Sequence, residues 1–196
     1  MRPLPFVFPY VIVFWVVFFW VFSREMGVVR RARKGVDAGG APDDKGSLRF
    51  VMLTQGLAFG AAFYLAWMPW GRFADPRVAF WIGLAILVAG AVLRRLCFRA
   101  LGESFTGEVR VRPEQRVVTA GPYRWARHPA YTAGLLMSVG VATALGSWAG
   151  ALIGFVLVAI GYAYRVRVEE RALMATLGSA YGDYAAQTKR FIPFVI

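Results

Sequence analysis

The sequence predicts an all-α integral membrane protein with five transmembrane helices, and three observations support this prediction. Hydrophobic residues make up 58% of the 196 residues and charged residues only 17%, a balance typical of membrane proteins. The apolar residues are collected in long uncharged runs. The basic residues that give the formal net charge of +12 lie between those runs, which favours a membrane topology over a nucleic-acid-binding protein.

Three uncharged runs in the first half of the chain have the length of membrane spans. The first covers residues 6–22, and because no small-residue cleavage site follows it, we interpret it as a helix and not as a secretory signal. The second, residues 51–70, is a full 20-residue span. The third covers residues 78–93 and ends at two consecutive arginines. We therefore expect residues 1–100 to contribute three spans.

The longest uncharged run, residues 130–164, predicts two further spans. One straight helix of 35 residues would measure roughly 52 Å, against about 30 Å of hydrocarbon. The run must therefore fold back, and residues 146–148, Gly-Ser-Trp, form the natural corner. We expect the last span to continue as a helix beyond Tyr164, with a break near Gly178. The apolar end, residues 191–196, is expected either to enter the membrane interface or to close over the preceding loop.

The distribution of basic residues predicts the orientation. Segments 24–49, 94–127 and 165–190 hold 7, 8 and 5 of the 23 lysines and arginines, and the remaining three lie on the other side of the membrane. Because segments rich in Lys and Arg stay in the cytoplasm, we expect an external N-terminus and a cytoplasmic C-terminus.

A basic loop at residues 121–131, Gly-Pro-Tyr-Arg-Trp-Ala-Arg-His-Pro-Ala-Tyr, precedes the long apolar run and is a candidate binding site. It contains His128, the only histidine. Proline is favoured at the first position of a helix, so a helix is predicted to start at Pro129. Its free N–H groups, together with Arg124 and Arg127, favour an anionic ligand. The alternative is a juxtamembrane loop that contacts anionic lipid, which explains the arginines but not the histidine, prolines and tyrosines.

A second motif, Arg-Val-Arg-Val-Glu-Glu-Arg, occupies residues 165–171 directly after the last span. Arg165 and Glu169 are four residues apart and share a helix face. The alternative is an exposed ion pair of little energetic value. Ionisable groups near the membrane boundary tend, however, to face the protein interior or a cavity, so Arg165 is placed to hold a carboxylate by a bidentate contact. With one histidine and one cysteine in the chain, a zinc site is not expected.

Together these motifs resemble the isoprenylcysteine carboxyl methyltransferase family. The resemblance is carried by Gly-Pro-Tyr-Arg-x-x-Arg-His-Pro-x-Tyr, two short spans, Arg-x-Arg-x-Glu-Glu, Leu-Gly-x-x-Tyr-x-x-Tyr and a terminal Pro-Phe, in this order. It covers about residues 101–196, whereas residues 1–100 match only as spans. Phospholipid N-methyltransferases share the pattern more loosely, and sterol reductases have a similar C-terminal layout.

The resemblance implies S-adenosylmethionine as the methyl donor, bound at a cytoplasmic loop and the C-terminal helix. Glu169 falls on the acidic cofactor contact and Arg165 on the arginine that binds the substrate carboxylate, which makes these two the candidate catalytic residues. The family usually has histidine where Gln115 stands. The implied cofactor-binding positions are Gln115, Val117, Val118, Tyr123, His128, Pro129, Ala130, Tyr131 and Glu169.

The sequence therefore predicts one membrane methyltransferase domain over residues 1–196, with the catalytic region in residues 101–196 and the active site at the cytoplasmic face. The expected partners are a lipophilic or prenylated acceptor and membrane lipid, with no nucleic acid and no metal. Three alternatives remain open: a phospholipid amine N-methyltransferase, a nicotinamide-dependent membrane reductase, and a non-catalytic membrane protein with the same fold.

Overall fold

A computed structural model describes residues 2–34, 44–102 and 117–191. The regular structure of these residues is entirely helical, with two short 3-10 helices at Leu4–Phe6 and Gly121–Arg124. The α-helices are α1 (Tyr10–Lys34), α2 (Ser47–Ala66), α3 (Pro76–Leu101), α4 (Pro129–Ala144), α5 (Trp148–Leu177) and α6 (Ser179–Gln187).

The described helices confirm an all-α membrane protein. Four of them, α1, α2, α3 and α5, are long and apolar enough to cross a membrane. The fifth apolar helix, α4, has 16 residues, fewer than the roughly 20 that a full span requires. The prediction of five spans is therefore matched by four long helices and a shorter one.

The first two helices begin four residues away from the predicted span starts, and local chemistry explains both shifts. Proline lacks the backbone N–H that a helix interior needs, so α1 begins after Pro9, at Tyr10. The carboxylate of Asp44 accepts a hydrogen bond from the Leu48 N–H at 2.9 Å and so caps the start of α2. Helix capping, which hydropathy does not detect, moves α2 towards the N-terminus relative to the predicted run.

The fold-back between α4 and α5 occurs at residues 146–148, as predicted. Gly146 adopts a left-handed φ of 87°, which favours glycine. The hydroxyl of Ser147 accepts the Gly150 N–H at 2.9 Å and donates to the Gly71 carbonyl at 3.2 Å. The corner is thus capped and also tied to the loop between α2 and α3.

Close backbone contacts fix α4 against α3. A Cβ atom added at Gly83 of α3 would lie 2.1 Å from the backbone nitrogen of Ala144. A Cβ atom at Gly140 of α4 would lie 2.5 Å from the backbone nitrogen of Leu87. Small residues allow this approach, as is common between helices in membranes, and the contact holds the second half of α4 against α3.

The helix α5 continues for 30 residues, well beyond its apolar part, and it ends at the predicted break. Gly178 has a φ of 54° and separates α5 from α6. The extension carries Arg165 and the two glutamates beside the loop that precedes α4. The packing of α4 on α3 and the length of α5 together position the candidate site.

Candidate active site

The loop that precedes α4 rests on helix α6. Tyr123 is buried, and its carbonyl accepts a hydrogen bond from the Tyr184 hydroxyl at 2.6 Å. Burial raises the pKa of Tyr184 to about 12, so this hydroxyl keeps its proton at neutral pH and remains a donor. The loop therefore has a defined shape, set by a helix more than fifty residues further along the chain.

A short extended segment after α6 closes against the same loop. The Arg127 N–H donates to the Lys189 carbonyl at 2.7 Å, and the His128 N–H donates to the Arg190 carbonyl at 2.8 Å. The hydroxyl of Thr132 donates to the Phe191 carbonyl at 2.9 Å. Residues 189–191 thus close over the loop. The two arrangements expected for the apolar end concerned residues 191–196; of these the structure describes Phe191, and residues 192–196 lie outside the described part, so that expectation stays a prediction.

The side chain of Arg127 is engaged by the protein itself. Its Nε donates to Glu170 Oε1 at 3.1 Å, and its Nη1 donates to the carbonyls of Ala185, at 2.6 Å, and Thr188. These contacts bind the loop to α5 and to the segment after α6. The sequence suggested Arg127 as a contact for an anionic ligand, but in the structure its guanidinium binds groups of the protein. The guanidinium of Arg124 lies over the ring of Trp125, 5.3 Å from its centroid.

His128 lies between the two glutamates of α5 and is 4% exposed. Its Nε2 is 3.3 Å from Glu170 Oε1, and its Nδ1 is 3.9 Å from Glu169 Oε2. Arg190 also contacts Glu170, with its Nη2 at 3.0 Å from Oε2. Glu170 is therefore surrounded by groups of this chain, and the histidine ring is held in place beside Glu169.

Glu169 and Tyr131 form a second, more open pair. The Tyr131 hydroxyl donates to Glu169 Oε2 at 2.7 Å, and the ring of Tyr131 packs near that of Tyr162, with 4.8 Å between centroids. The Glu169 side chain is 32% exposed, and its Oε1 accepts no hydrogen bond from any described residue. A carboxylate oxygen beside an aromatic ring is thus available to a ligand.

Arg165 is 6% exposed, and its contacts among the described residues include Tyr131, Ser47 and Asp44. Its Nε donates to the Tyr131 hydroxyl at 3.3 Å, and its Nη1 donates to the Ser47 hydroxyl at 2.8 Å. The same Nη1 forms an ion pair with Asp44. The arginine predicted to bind a carboxylate therefore binds one that belongs to this chain. Sequence reasoning missed Asp44, although the Asp-x-x-Ser spacing before an apolar run is typical of a helix start.

The structure brings most of the predicted site residues together. Five of them lie where the loop, the start of α4 and the C-terminal half of α5 meet: Tyr123, His128, Tyr131, Arg165 and Glu169. Pro129 begins α4 as predicted. The carbonyl of Ala130 faces α3, where it accepts a hydrogen bond from Arg94 Nη1 at 2.7 Å. Val117 and Val118 are half-buried in the extended segment that enters the loop. Gln115 lies outside the described residues.

Two polar groups that were not among the predicted site residues lie beside the site. Arg94 of α3 donates to Glu25 of α1 at 2.5 Å, so an ion pair lies directly behind Ala130. The hydroxyl of Tyr181 on α6 is buried without a hydrogen-bond partner in the described part of the chain. Among the same residues, no group of three or more histidine, cysteine, aspartate or glutamate side chains is placed to hold a metal ion.

Comparisons with known proteins agree with the motifs. Residues 81–175 match the model of the isoprenylcysteine carboxyl methyltransferase (ICMT) family. Two Arabidopsis thaliana proteins, protein-S-isoprenylcysteine O-methyltransferases B and A, are 34% and 33% identical over 59% and 58% of this chain. The chain covers 61% and 58% of their own length. The Saccharomyces cerevisiae protein-S-isoprenylcysteine O-methyltransferase is 26% identical over 58% of this chain and 48% of its own.

A solved structure shares the fold. The eukaryotic intramembrane Ras methyltransferase ICMT superposes with a TM-score of 0.60 over 74% of this chain and 52% of that one, at 24% identity. The family match includes the loop before α4, α4 itself and α5 as far as Glu169 and Glu170. Sequence motifs, fold and family model thus agree, and over residues 81–175 this chain is similar to the isoprenylcysteine carboxyl methyltransferase family.

Proposed function

We propose that this protein is an S-adenosylmethionine-dependent methyltransferase that methylates the carboxylate of a lipophilic, isoprenylcysteine-like acceptor. The observation that carries the proposal is the geometry of α5. One helix places the open carboxylate of Glu169 and the buried guanidinium of Arg165 one turn apart, and Tyr131 contacts both. Such a helix can hold a cationic ligand and a carboxylate side by side.

The donor set fits S-adenosylmethionine, which carries a carboxylate, an ammonium group and a sulfonium. Glu169 Oε1 is open to an ammonium group or a ribose hydroxyl, which are the donors that a carboxylate accepts. The rings of Tyr131 and His128, 5.7 Å apart, offer faces to a sulfonium. At the start of α4 the Ala130 N–H is the donor that remains for the carboxylate among the described residues, because Pro129 has no N–H and the N–H groups of His128, Tyr131 and Thr132 donate to backbone carbonyls.

When bound, the cofactor supplies a methyl group whose bond to sulfur breaks as its bond to the acceptor oxygen forms, and the sulfur keeps the electron pair. Because the acceptor carboxylate is already ionised, the residues of this chain need not remove a proton. Arg165 holds the acceptor, Glu169 and Tyr131 hold the cofactor, and the segment at residues 189–191 limits access of water. The rate enhancement then comes from placement and from exclusion of water.

The same proposal includes an orientation. The Lys and Arg distribution, 20 on one side and three on the other, supports a cytoplasmic active site and C-terminus with an external N-terminus. The cofactor would then enter from the cytoplasm. The acceptor would enter from the bilayer between helices, and residues 1–196 would act as one methyltransferase domain.

The decisive experiment is a ligand screen by thermal shift on the purified chain. S-adenosylmethionine and its demethylated product, S-adenosylhomocysteine, should each stabilise the protein by about 2.7 kcal/mol at 100 times the dissociation constant, whereas NADPH should not. Stabilisation by NADPH alone would replace the proposal with a membrane reductase.

A second assay separates carboxylate from amine acceptors. Methyl transfer from labelled cofactor is measured into an S-prenylated cysteine and, in parallel, into phosphatidylethanolamine vesicles. We expect a base-labile methyl ester in the first case and no product in the second. Labelling of the amine lipid alone would identify an N-methyltransferase, which would need a proton acceptor such as Glu169.

A further inference from the structure

The ion pair between Arg165 and Asp44 places a carboxylate of the protein where the acceptor carboxylate is proposed to bind. The two residues are 121 positions apart in the chain, and both are largely buried, with side-chain exposures of 7% and 14%. Asp44 is held by its own neighbours, because its Oδ1 accepts the Ser47 hydroxyl at 2.9 Å and its Oδ2 accepts the Leu48 N–H at 2.9 Å. The partner of Arg165 is therefore a fixed feature at the start of α2.

A second contact fastens the same turn to α5. The Tyr164 hydroxyl donates to the Lys45 carbonyl at 3.0 Å, one residue before Arg165. Stability alone is a weak reason for such a pair, since a buried ion pair often contributes little compared with well-packed apolar residues. A functional explanation is that Asp44 offers Arg165 the same group, a carboxylate, that the proposed acceptor brings.

We infer that Asp44 competes with the acceptor carboxylate for Arg165. The inference rests on the proposed function. An acceptor that brings its own carboxylate replaces Asp44 and leaves Arg165 paired. The methyl ester formed by the reaction is neutral and offers no such replacement, so Asp44 pairs with Arg165 again and the product is released. Asp44 thus weakens binding of substrate and product alike, and after the reaction it favours release of the product.

Asp44→Asn tests this inference because asparagine can still accept the Leu48 N–H and cap α2 while the competing charge is lost. The matched control is Asp75→Asn. Asp75 caps α3 through the N–H groups of Arg77, at 2.8 Å, and Val78, at 3.1 Å, and it lies at the opposite end of the helices from Arg165.

The measurement is equilibrium binding of labelled N-acetyl-S-farnesylcysteine and of its methyl ester to the full chain, with S-adenosylhomocysteine present so that no turnover occurs. If Asp44 occupies Arg165 in about nine of ten molecules, Asp44→Asn tightens binding of the acid about tenfold, because the competent fraction rises to nearly one. The ester, whose binding the Asp44–Arg165 pair also opposes, tightens by the same factor, so the ratio of the acid and ester affinities stays that of the wild type. The affinity for S-adenosylhomocysteine and both affinities of Asp75→Asn remain those of the wild type.

Unchanged or weaker binding of the acid by a folded Asp44→Asn protein would overturn the inference, as would failure of the acid to bind the wild type. If Asp44→Asn does not fold, Ser47→Ala takes its place. Ser47→Ala removes the hydroxyl that bridges Arg165 and Asp44 but leaves both charges in place. It should tighten binding of the acid by a smaller factor than Asp44→Asn would. If the acid does not bind more tightly, the inference is again refuted. Absence of methyl transfer by the wild type would instead refute the proposed function, and the binding results would still decide the role of Asp44.

Discussion

The adjacent glutamates of α5 are expected to have separable roles, and paired substitutions test this. Glu169 is 32% exposed and accepts one hydrogen bond, from Tyr131 at 2.7 Å. Glu170 is 17% exposed and contacts Arg127, His128 and Arg190. We expect Glu169→Gln to weaken cofactor binding without unfolding the protein and Glu170→Gln to destabilise the protein.

The magnitudes follow from these contacts. Glutamine at position 169 keeps an oxygen for the Tyr131 hydroxyl but loses the charge offered to the ligand. A hydrogen bond to a charged group contributes about 1.5–3 kcal/mol, which corresponds to a roughly ten- to hundredfold weaker dissociation constant. Glutamine at position 170 removes the charge that pairs with Arg127 and Arg190. We expect its free energy of unfolding to fall by about 1.5–3 kcal/mol, mostly through Arg127, because Arg190 is more than half exposed.

The assay measures two quantities for each variant: the dissociation constant of S-adenosylhomocysteine by calorimetry, and the melting temperature without ligand. Glu169→Gln should change the first and Glu170→Gln the second. Wild-type cofactor affinity in Glu169→Gln would refute the assignment of this carboxylate to the cofactor. A parallel loss of affinity and melting temperature in both variants would show that the two glutamates act as one structural unit.

Three further predictions concern the acceptor, the topology and the helix packing. Arg165→Lys should lower methyl transfer roughly ten- to a hundredfold, because lysine keeps the charge but loses the planar two-point contact. Cofactor affinity should change little. Undiminished transfer in this variant and in Arg165→Ala would favour an amine acceptor. In compartment-specific labelling, a reporter fused after Ile196 should be cytoplasmic and one inserted near Gly146 should be external. A cytoplasmic signal from the reporter near Gly146 would mean that residues 130–164 do not cross the membrane twice. Gly83→Ala should lower the free energy of unfolding by about 1–3 kcal/mol, because its Cβ would lie 2.1 Å from a backbone nitrogen of α4. Gly60→Ala, with nothing within 4 Å of the added Cβ, should leave it unchanged or raise it by up to about 1 kcal/mol in the same denaturation experiment, because alanine has the higher helix propensity.

Local sequence features predicted the helices and the corner between them. The start of α4 at Pro129 follows from the missing N–H of proline, and the fold-back at residues 146–148 follows from the length of the run relative to the bilayer. Both depend on neighbouring residues alone. The starts of α1 and α2 were each displaced by four residues, because hydropathy measures transfer to lipid and does not detect the hydrogen bonds that begin a helix.

The sequence by itself determined that this is an all-α membrane protein and that Arg165 and Glu169 share one face of a helix, since apolar runs and four-residue spacing are properties of the chain. Only the tertiary structure decided which groups those side chains meet. Asp44 reaches Arg165 across 121 residues, and Arg127 pairs with Glu170 across 43. The first pairing depends on how closely α2 packs on α5, where a Cβ atom at Gly161 would lie 2.2 Å from the Thr54 hydroxyl, and the second on how the loop before α4 lies on α5. No local pattern records either property.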